Sequence, residues 1–401
     1  MPPASPSTAR AHNDRLALRL LQQQGPLTAG QLKALTGLSR PTVADLVERL
    51  QSSGLIHDVG ESETGRRGPN ARLYGIVADI AHLAALDVRT ETVSVVIADL
   101  LGTHLGDAAA PIDISDGVQA AVDQTIALVE RAAHDAGATR LHSIGIGAPG
   151  LIDPTTGELR QACSVPAWHR RLAGALQDRL HTTVRSENET NLAALAERRL
   201  GVARDYETFV LMWLANGIGA AVVLDGKLRR GASGGAGELG FLPVPGTAGL
   251  PSRDDCDGGF HSLVNNPAVC ELAERHGLGH LIPTIHTPHD EAVEPLGATV
   301  IHAARDAGPA GSAFLDEYAG RLALGVSAVT AVLDPGCVVL AGELGHAGGD
   351  DLAERVQAKV AALCPVDTVV RATTLGGSAV LHGALFAAQQ AAQDALFPSG
   401  D

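Results

Sequence analysis

Residues Thr36 to Val43 read TGLSRPTV, and this stretch decides the first part of the fold. Gly37 closes one helix, Ser39 caps the next, and Pro41 sits in the first turn of that second helix. Upstream, Thr28 is a credible N-cap for a helix carrying Leu32 and Leu35, preceded by the breaker Gly25-Pro26. Further back, Asn13 or Asp14 starts a helix with Leu16, Ala17, Leu20 and Leu21 on one stripe. Downstream, Val43, Leu46, Val47 and Leu50 face inward until Gly54. Two short helices joined by a tight glycine turn form a helix-turn-helix, which lays its second helix into a major groove.

A hairpin follows. Leu55-Ile56-His57 and Ala71-Arg72-Leu73-Tyr74 pair around the polar tip ESETGRRGPN, residues 61–70. A wing of this kind reaches a minor groove or the backbone, here with Arg66 and Arg67. Ser39, Arg40 and Thr42, with Thr28 behind them, are the candidate DNA contacts on the helical side. Arg40 suits either a bidentate pair with guanine or a phosphate grip.

Charge separates this head from the rest. The 401-residue chain has a formal charge of -15, yet residues 1–75 hold 9 Lys/Arg against 6 Asp/Glu, leaving 21 against 39 beyond them. A mildly basic head on an acidic body fits one DNA-facing unit on a body repelled by phosphate. The five cysteines are scattered without a CxxC pair, as in a reduced, cytoplasmic protein. The start MPPASPSTARAHNDR has no apolar core for a signal peptide, and no apolar run approaches about 18 residues, so membrane insertion is not expected. Expected boundaries are a flexible tail over 1–11, the winged helix-turn-helix over 12–76 and a body over 77–401.

In the body, short apolar runs alternate with helices: His82 to Val88 and Val93 to Ala98 as a hairpin, a helix over Asp116 to Ala136, and a strand through Ile144 ending at Gly147-Ala148-Pro149-Gly150. Phe209 to Leu214 and Ala220 to Leu224 flank Ala215-Asn216-Gly217-Ile218-Gly219. Cys337 to Leu340 runs into Ala341-Gly342, and Leu375-Gly376-Gly377 opens a small-residue helix. Strands that empty into glycine turns are where α/β proteins place ligands.

Five stretches, in order, carry a family resemblance: TGLSRPTV (36–43), GRRGP (65–69), GAPG (147–150), SENETNLAALAE (186–197) and GIGAAVVLDGKLRRGASGGAGELG (217–240). Together they resemble the ROK family (repressors, open reading frames and kinases), in its regulator branch of the xylose and N-acetylglucosamine repressor type. The resemblance implies a two-lobed, actin-like (ribonuclease H-like) sugar-kinase body behind the winged head. It also implies homodimers or homotetramers that bind double-stranded operator DNA and respond to a sugar or phosphosugar effector.

The resemblance further assigns Gly150, Asn188, Glu189, Glu238 and His261 to the sugar. Asp87-Val88-Arg89-Thr90 keeps the acid of the first phosphate motif without its glycines, so Val88 and Arg89 obstruct the approach. The second phosphate turn is Ala215-Asn216-Gly217 in place of Gly-Thr-Gly. Glu189 stands where the family's catalytic Asp stands, and its extra methylene moves the carboxylate by about 1 Å, a shift that costs on the order of a hundredfold in rate. No catalytic residue is therefore expected, with Glu189 and Asp87 as relics of one. Phe241 replaces a zinc-binding His, and the cysteine cluster is degraded over Ser252 to Gly259, so neither zinc nor another cofactor is expected. The leading expectation is a repressor whose body has lost catalysis. Alternatives are a regulator that still phosphorylates a sugar and one whose body is only an oligomerisation scaffold.

Overall fold

The computed structural model describes residues 6–61, 71–160, 166–252, 258–284 and 295–397. In the head, α1 (Pro6–Gln24), α2 (Ala29–Thr36) and α3 (Arg40–Ser52) pack beside a three-stranded sheet of β1 (Leu27–Thr28), β3 (Arg72–Ile76) and β2 (Ile56–Glu61) in that order. Helix α1 begins at Pro6, several residues before Asn13, so part of the expected tail is helical. The other helix ends lie where their caps put them. Thr28 and Gln31 form a capping box, Gly37 takes the left-handed conformation at φ 70°, and the Ser39 hydroxyl accepts from the Thr42 amide. Leu18, Leu32, Val43, Leu46 and Leu50 fill the core between them. Asp14, buried on α1, accepts two hydrogen bonds from Arg49 of α3, at 2.5 and 3.3 Å, and fixes how α3 is presented.

The body repeats one sheet topology. In the first lobe the order is β6 (His104–Pro111), β5 (Thr92–Asp99), β4 (His82–Val88), β7 (Leu141–Ala148) and β8 (Thr183–Asn188). In the second it is β11 (Lys227–Arg229), β10 (Ile218–Leu224), β9 (Phe209–Leu214), β12 (Cys337–Ala341) and β13 (Val369–Ala372). Each sheet is antiparallel through its first three strands and parallel through its last three. Helices α4 (Val118–Asp135) and α5 (Ala167–Leu180) cover the outer face of the first sheet. The outer face of the second is covered by α7 (His261–Val264), α8 (Asn266–Arg275), α9 (Leu296–Ala304), α10 (Gly308–Leu333) and α11 (Gly342–Leu363).

Between the sheets lie α6 (Glu189–Arg199) and the C-terminal helix α12 (Ala379–Leu396). Their approach is closer than side chains allow. A Cβ on Gly145 of β7 would lie 2.0 Å from the Ala384 carbonyl oxygen of α12, and one on Gly383 would lie 2.1 Å from that of Leu192 on α6. Glycine is needed at both places because backbone, which cannot rotate away, fills the space. One continuous core then runs from the head through α6 and α12 to the inner faces of both sheets.

Gly145→Ala should therefore cost about 2–3 kcal/mol by overpacking. Gly174→Ala, on α5 with nothing within 4 Å of the added methyl, should gain roughly 0.5–1 kcal/mol. Denaturant midpoints check both; equal shifts for the two would mean that α12 does not lie against β7 this closely.

Candidate functional site

The cleft between the lobes opens where the C-terminal ends of β4, β7 and β9 turn. A cavity of about 360 Å³ is bounded there by Asp87 to Thr92, Pro149, Glu189, Trp213, Ala215 to Gly217, Glu343 and Val380. A second, of about 400 Å³, shares Trp213 and Glu343 and extends to His302, Arg305, His346 and Gly376-Gly377.

Asn188 is the best-anchored residue of the site. As the N-cap of α6, its Oδ1 accepts from the amides of Thr190 and Asn191 at 2.9 and 3.3 Å. Its Nδ2 donates to the Gly150 carbonyl at 3.1 Å and to Glu189 Oε2 at 2.8 Å. Glu189 thus has a fixed orientation and faces the cavity. Burial pushes its carboxyl up to about 8 from 4.5, and the carboxylates of Asp87 and Glu238 reinforce the shift. Glu238 follows Gly237, which at φ 94° lets its backbone press on the Ala220 carbonyl. Although Glu238 keeps an exposed face, the recess around it also raises its carboxyl. His261, at the start of α7, meets Asn265 Nδ2 at 3.0 Å through Nε2 and lies behind Gly240. Of the five expected sugar residues, Glu189 lines the first of these cavities. Gly150 and Asn188 are joined to it by hydrogen bonds, and Glu238 and His261 stand on the second lobe outside that volume.

Two features were not expected from the sequence. Glu187 is buried, accepts from Arg230 Nε at 2.6 Å, and braces Asn188 N and Asn191 Nδ2 at 3.1 and 2.9 Å. The motif SENET had drawn attention to its neighbours; burial beside an arginine 43 positions away is invisible in one sequence. The second concerns the first phosphate motif. Val88 packs into the first lobe's core, 1% exposed, so of the two expected obstructions it is Arg89 whose charge spans the cleft. Arg89 pairs with Asp87 of its own lobe and Glu343 of the other. Burial raises the Asp87 carboxyl, partly offset by that guanidinium.

In the head, Ser39 and Arg40 are exposed at the N-terminal end of α3 and Thr42 is half-buried, its hydroxyl 2.8 Å from that of Ser39. Thr28 is different: it is 9% exposed and its hydroxyl serves the α2 cap. Arg66 and Arg67 lie outside the described residues, as does most of the expected zinc-like segment. Phe241 offers no donor atom, so the residues present do not build the family's zinc site, and among the described residues no three His, Cys, Asp or Glu side chains are grouped to hold a metal. No helix among them is long and apolar enough to cross a membrane.

This two-lobed fold with its interlobe cleft matches the ROK family over residues 84–391, and the head matches the MarR family over residues 13–68. The chain belongs to the ROK family. It is similar to the xylose repressor of Bacillus subtilis, 26% identical over 58% of this chain and 60% of the relative's length. It is also similar to the DNA-binding transcriptional dual regulator NagC of Escherichia coli K12, 25% identical over 84% of this chain and 81% of that one. The fold matches a ROK family transcriptional regulator homologous to the E. coli MLC protein, with a TM-score of 0.77, 20% identity and coverage of 97% and 98%. It also matches a ROK family glucokinase from Streptomyces griseus in complex with glucose and AMPPNP, with a TM-score of 0.63, 22% identity and coverage of 77% and 100%. The last match corrects an expectation: a body outside enzymology does not follow from altered turns, because the whole length of a sugar kinase shares this body's fold.

The raised Glu189 carboxyl has a measurable sign. Between its ordinary value and about 8, the folded chain keeps a proton that the unfolded chain has released, so this group makes the fold lose stability as pH climbs. Glu189→Gln should remove that loss, gaining on wild type between about pH 5 and 8 in urea unfolding. Parallel curves would show that the carboxyl is not raised.

Proposed function

We propose that the chain is a sequence-specific DNA-binding transcriptional regulator, a repressor, whose kinase-like body binds a sugar or sugar phosphate in the interlobe cleft. The observation that carries this reading is the exposed Ser39-Arg40 end of α3, locked to α1 through Asp14–Arg49 and built on the same continuous core as the cleft-lining helices. A helix N-terminus presented in this way suits base edges or phosphates in a major groove. The wing arginines Arg66 and Arg67 would add backbone contacts. Pairing of two chains about a twofold axis would set two such helices on a near-palindromic operator. A cleft ligand acts by preferring one lobe arrangement over the other, because only a difference in affinity shifts an equilibrium.

A second reading has its own support. Glu189 is held by Asn188 next to the cavity with its carboxyl near neutrality, as a general base requires. The same body would then phosphorylate the sugar it senses.

On a duplex selected by the full chain, Arg40→Ala should weaken binding by about 1–3 kcal/mol, roughly 5- to 150-fold, in fluorescence anisotropy at fixed salt. A sugar from a hexose panel should change the wild-type affinity. Unaltered binding by Arg40→Ala would remove α3 from the interface. Coupled ADP release that requires Glu189 would establish the second reading.

A further inference from the structure

The first lobe has a recess of its own, on the face of its sheet turned away from the cleft. It measures about 380 Å³ and lies between β7, α5 and the turn that joins Ile152 to Leu159. Val88, Ile146, Ala148, Ile152 and Leu172 are buried and form its floor. Among the described residues it shares Val88 alone with the cavity at the cleft. An apolar hollow of roughly 150 Å³ already admits a benzene ring, so this one has room for a larger apolar body.

The mouth is polar. Glu158, Arg170 and Gly174 border it and are exposed. Nearby charges are engaged with one another: Arg160 donates to Asp153 at 2.7 Å and Arg179 to Glu130 at 2.9 Å. Among the described residues, the Glu158 and Arg170 side chains have no ion pair or hydrogen bond, with each other or elsewhere. His169 on the wall adds no charge, because burial holds its imidazole down to about 4 from 6.5 and its Nε2 meets the Arg89 carbonyl at 3.2 Å. A Cβ on Gly174 would have nothing within 4 Å, so the mouth stands open beside α5.

An apolar floor under one unpaired cation and one unpaired anion fits a zwitterion with an apolar body. A guanidinium takes a carboxylate through two parallel N–H donors, and a carboxylate takes an ammonium. A purely apolar molecule would leave both charges unused, and a sugar would set its hydroxyls against apolar side chains. We propose that this recess binds an α-amino acid with an apolar side chain, its carboxylate on Arg170, its ammonium on Glu158 and its side chain on the floor. The site is separate from the interlobe cleft and does not depend on the sensor reading of that cleft.

Calorimetric titration of the full chain with L-phenylalanine is the test, with phenylacetate and phenethylamine as probes that each lack one of the two charges. Wild type should bind L-phenylalanine saturably below about 10 mM, and each single-charge probe at least about fivefold more weakly. Arg170→Gln and Glu158→Gln should each weaken L-phenylalanine by about the same factor, and both side chains are exposed, so the fold does not rest on them. Arg170→Gln should leave phenethylamine binding unchanged, since that probe has no carboxylate. Gly174→Leu puts a side chain into the mouth at a helical position that glycine disfavours, so it should melt no lower than wild type and lose the binding. If melting curves show that Gly174→Leu does not fold, the two charge variants carry the comparison. No saturable binding by wild type, or undiminished binding by Arg170→Gln or Glu158→Gln, would overturn the proposal. So would equal binding of either single-charge probe, or binding retained by folded Gly174→Leu.

Discussion

Helix α12 touches the rest of the body through backbone. At Gly145 and Gly383 nothing but van der Waals surface separates the helix from β7 and α6, because an added Cβ would meet the backbone of Ala384 and of Leu192. Contacts of this kind have no rotamers to absorb a displacement, so the spacing between the first sheet, α12 and α6 is fixed. Because α6 starts with Glu189, capped by Asn188, the same spacing sets the floor of the cleft. At its far end α12 reaches the head, where Asp394 pairs with Arg15 and Phe397 joins the core shared with α1. Cleft and head are thus two ends of one rigid element, supported further by Ser143 Oγ donating to the Ala388 carbonyl and Gln389 Nε2 donating to that of Leu100.

The cleft gathers charge that a stable interior would avoid. Asp87, Glu187 and Glu189 come from the first lobe or its junction and Glu343 from the second, against Arg89 and Arg230. Ion pairs removed from water are weak contributors to stability, and apolar residues of equal volume would serve the fold as well. Charges retained in this way pair across the two lobes, Arg89 with Glu343 and Arg230 with Glu187. A body that must change arrangement when a polar ligand arrives has use for such contacts, which an apolar seam would not offer.

Much of the head was legible in the sequence because helix caps are local. Thr28, Gly37, Ser39 and Gly54 announce chain reversals within a turn of themselves, and the buried stripe Val43, Leu46, Val47 and Leu50 has the helical period. The start of α1 was missed because the Pro/Ser-rich opening resembles a breaker, although proline is tolerated in a first turn. The body's strands were legible as apolar runs, but their duplication into two sheets of one topology was not, since no sequence repeat accompanies it. In the site, residue types were readable and partnerships were not. Asn188 could be read as a cap or as a sugar ligand; its hydrogen bonds to Gly150 and Glu189 make it the brace of the site. Glu343 carried no motif at all, and its partner lies 254 residues away.

A head that reads DNA under the control of a body that binds a small ligand has one direct signature. Selection of genomic fragments by the full chain at moderate salt, with and without the ligand that stabilises the body most, tests it directly. The expected result is enrichment of one near-palindromic site, with its affinity changed by that ligand. Retention of fragments without a shared site, or a site whose affinity no body ligand alters, would contradict it.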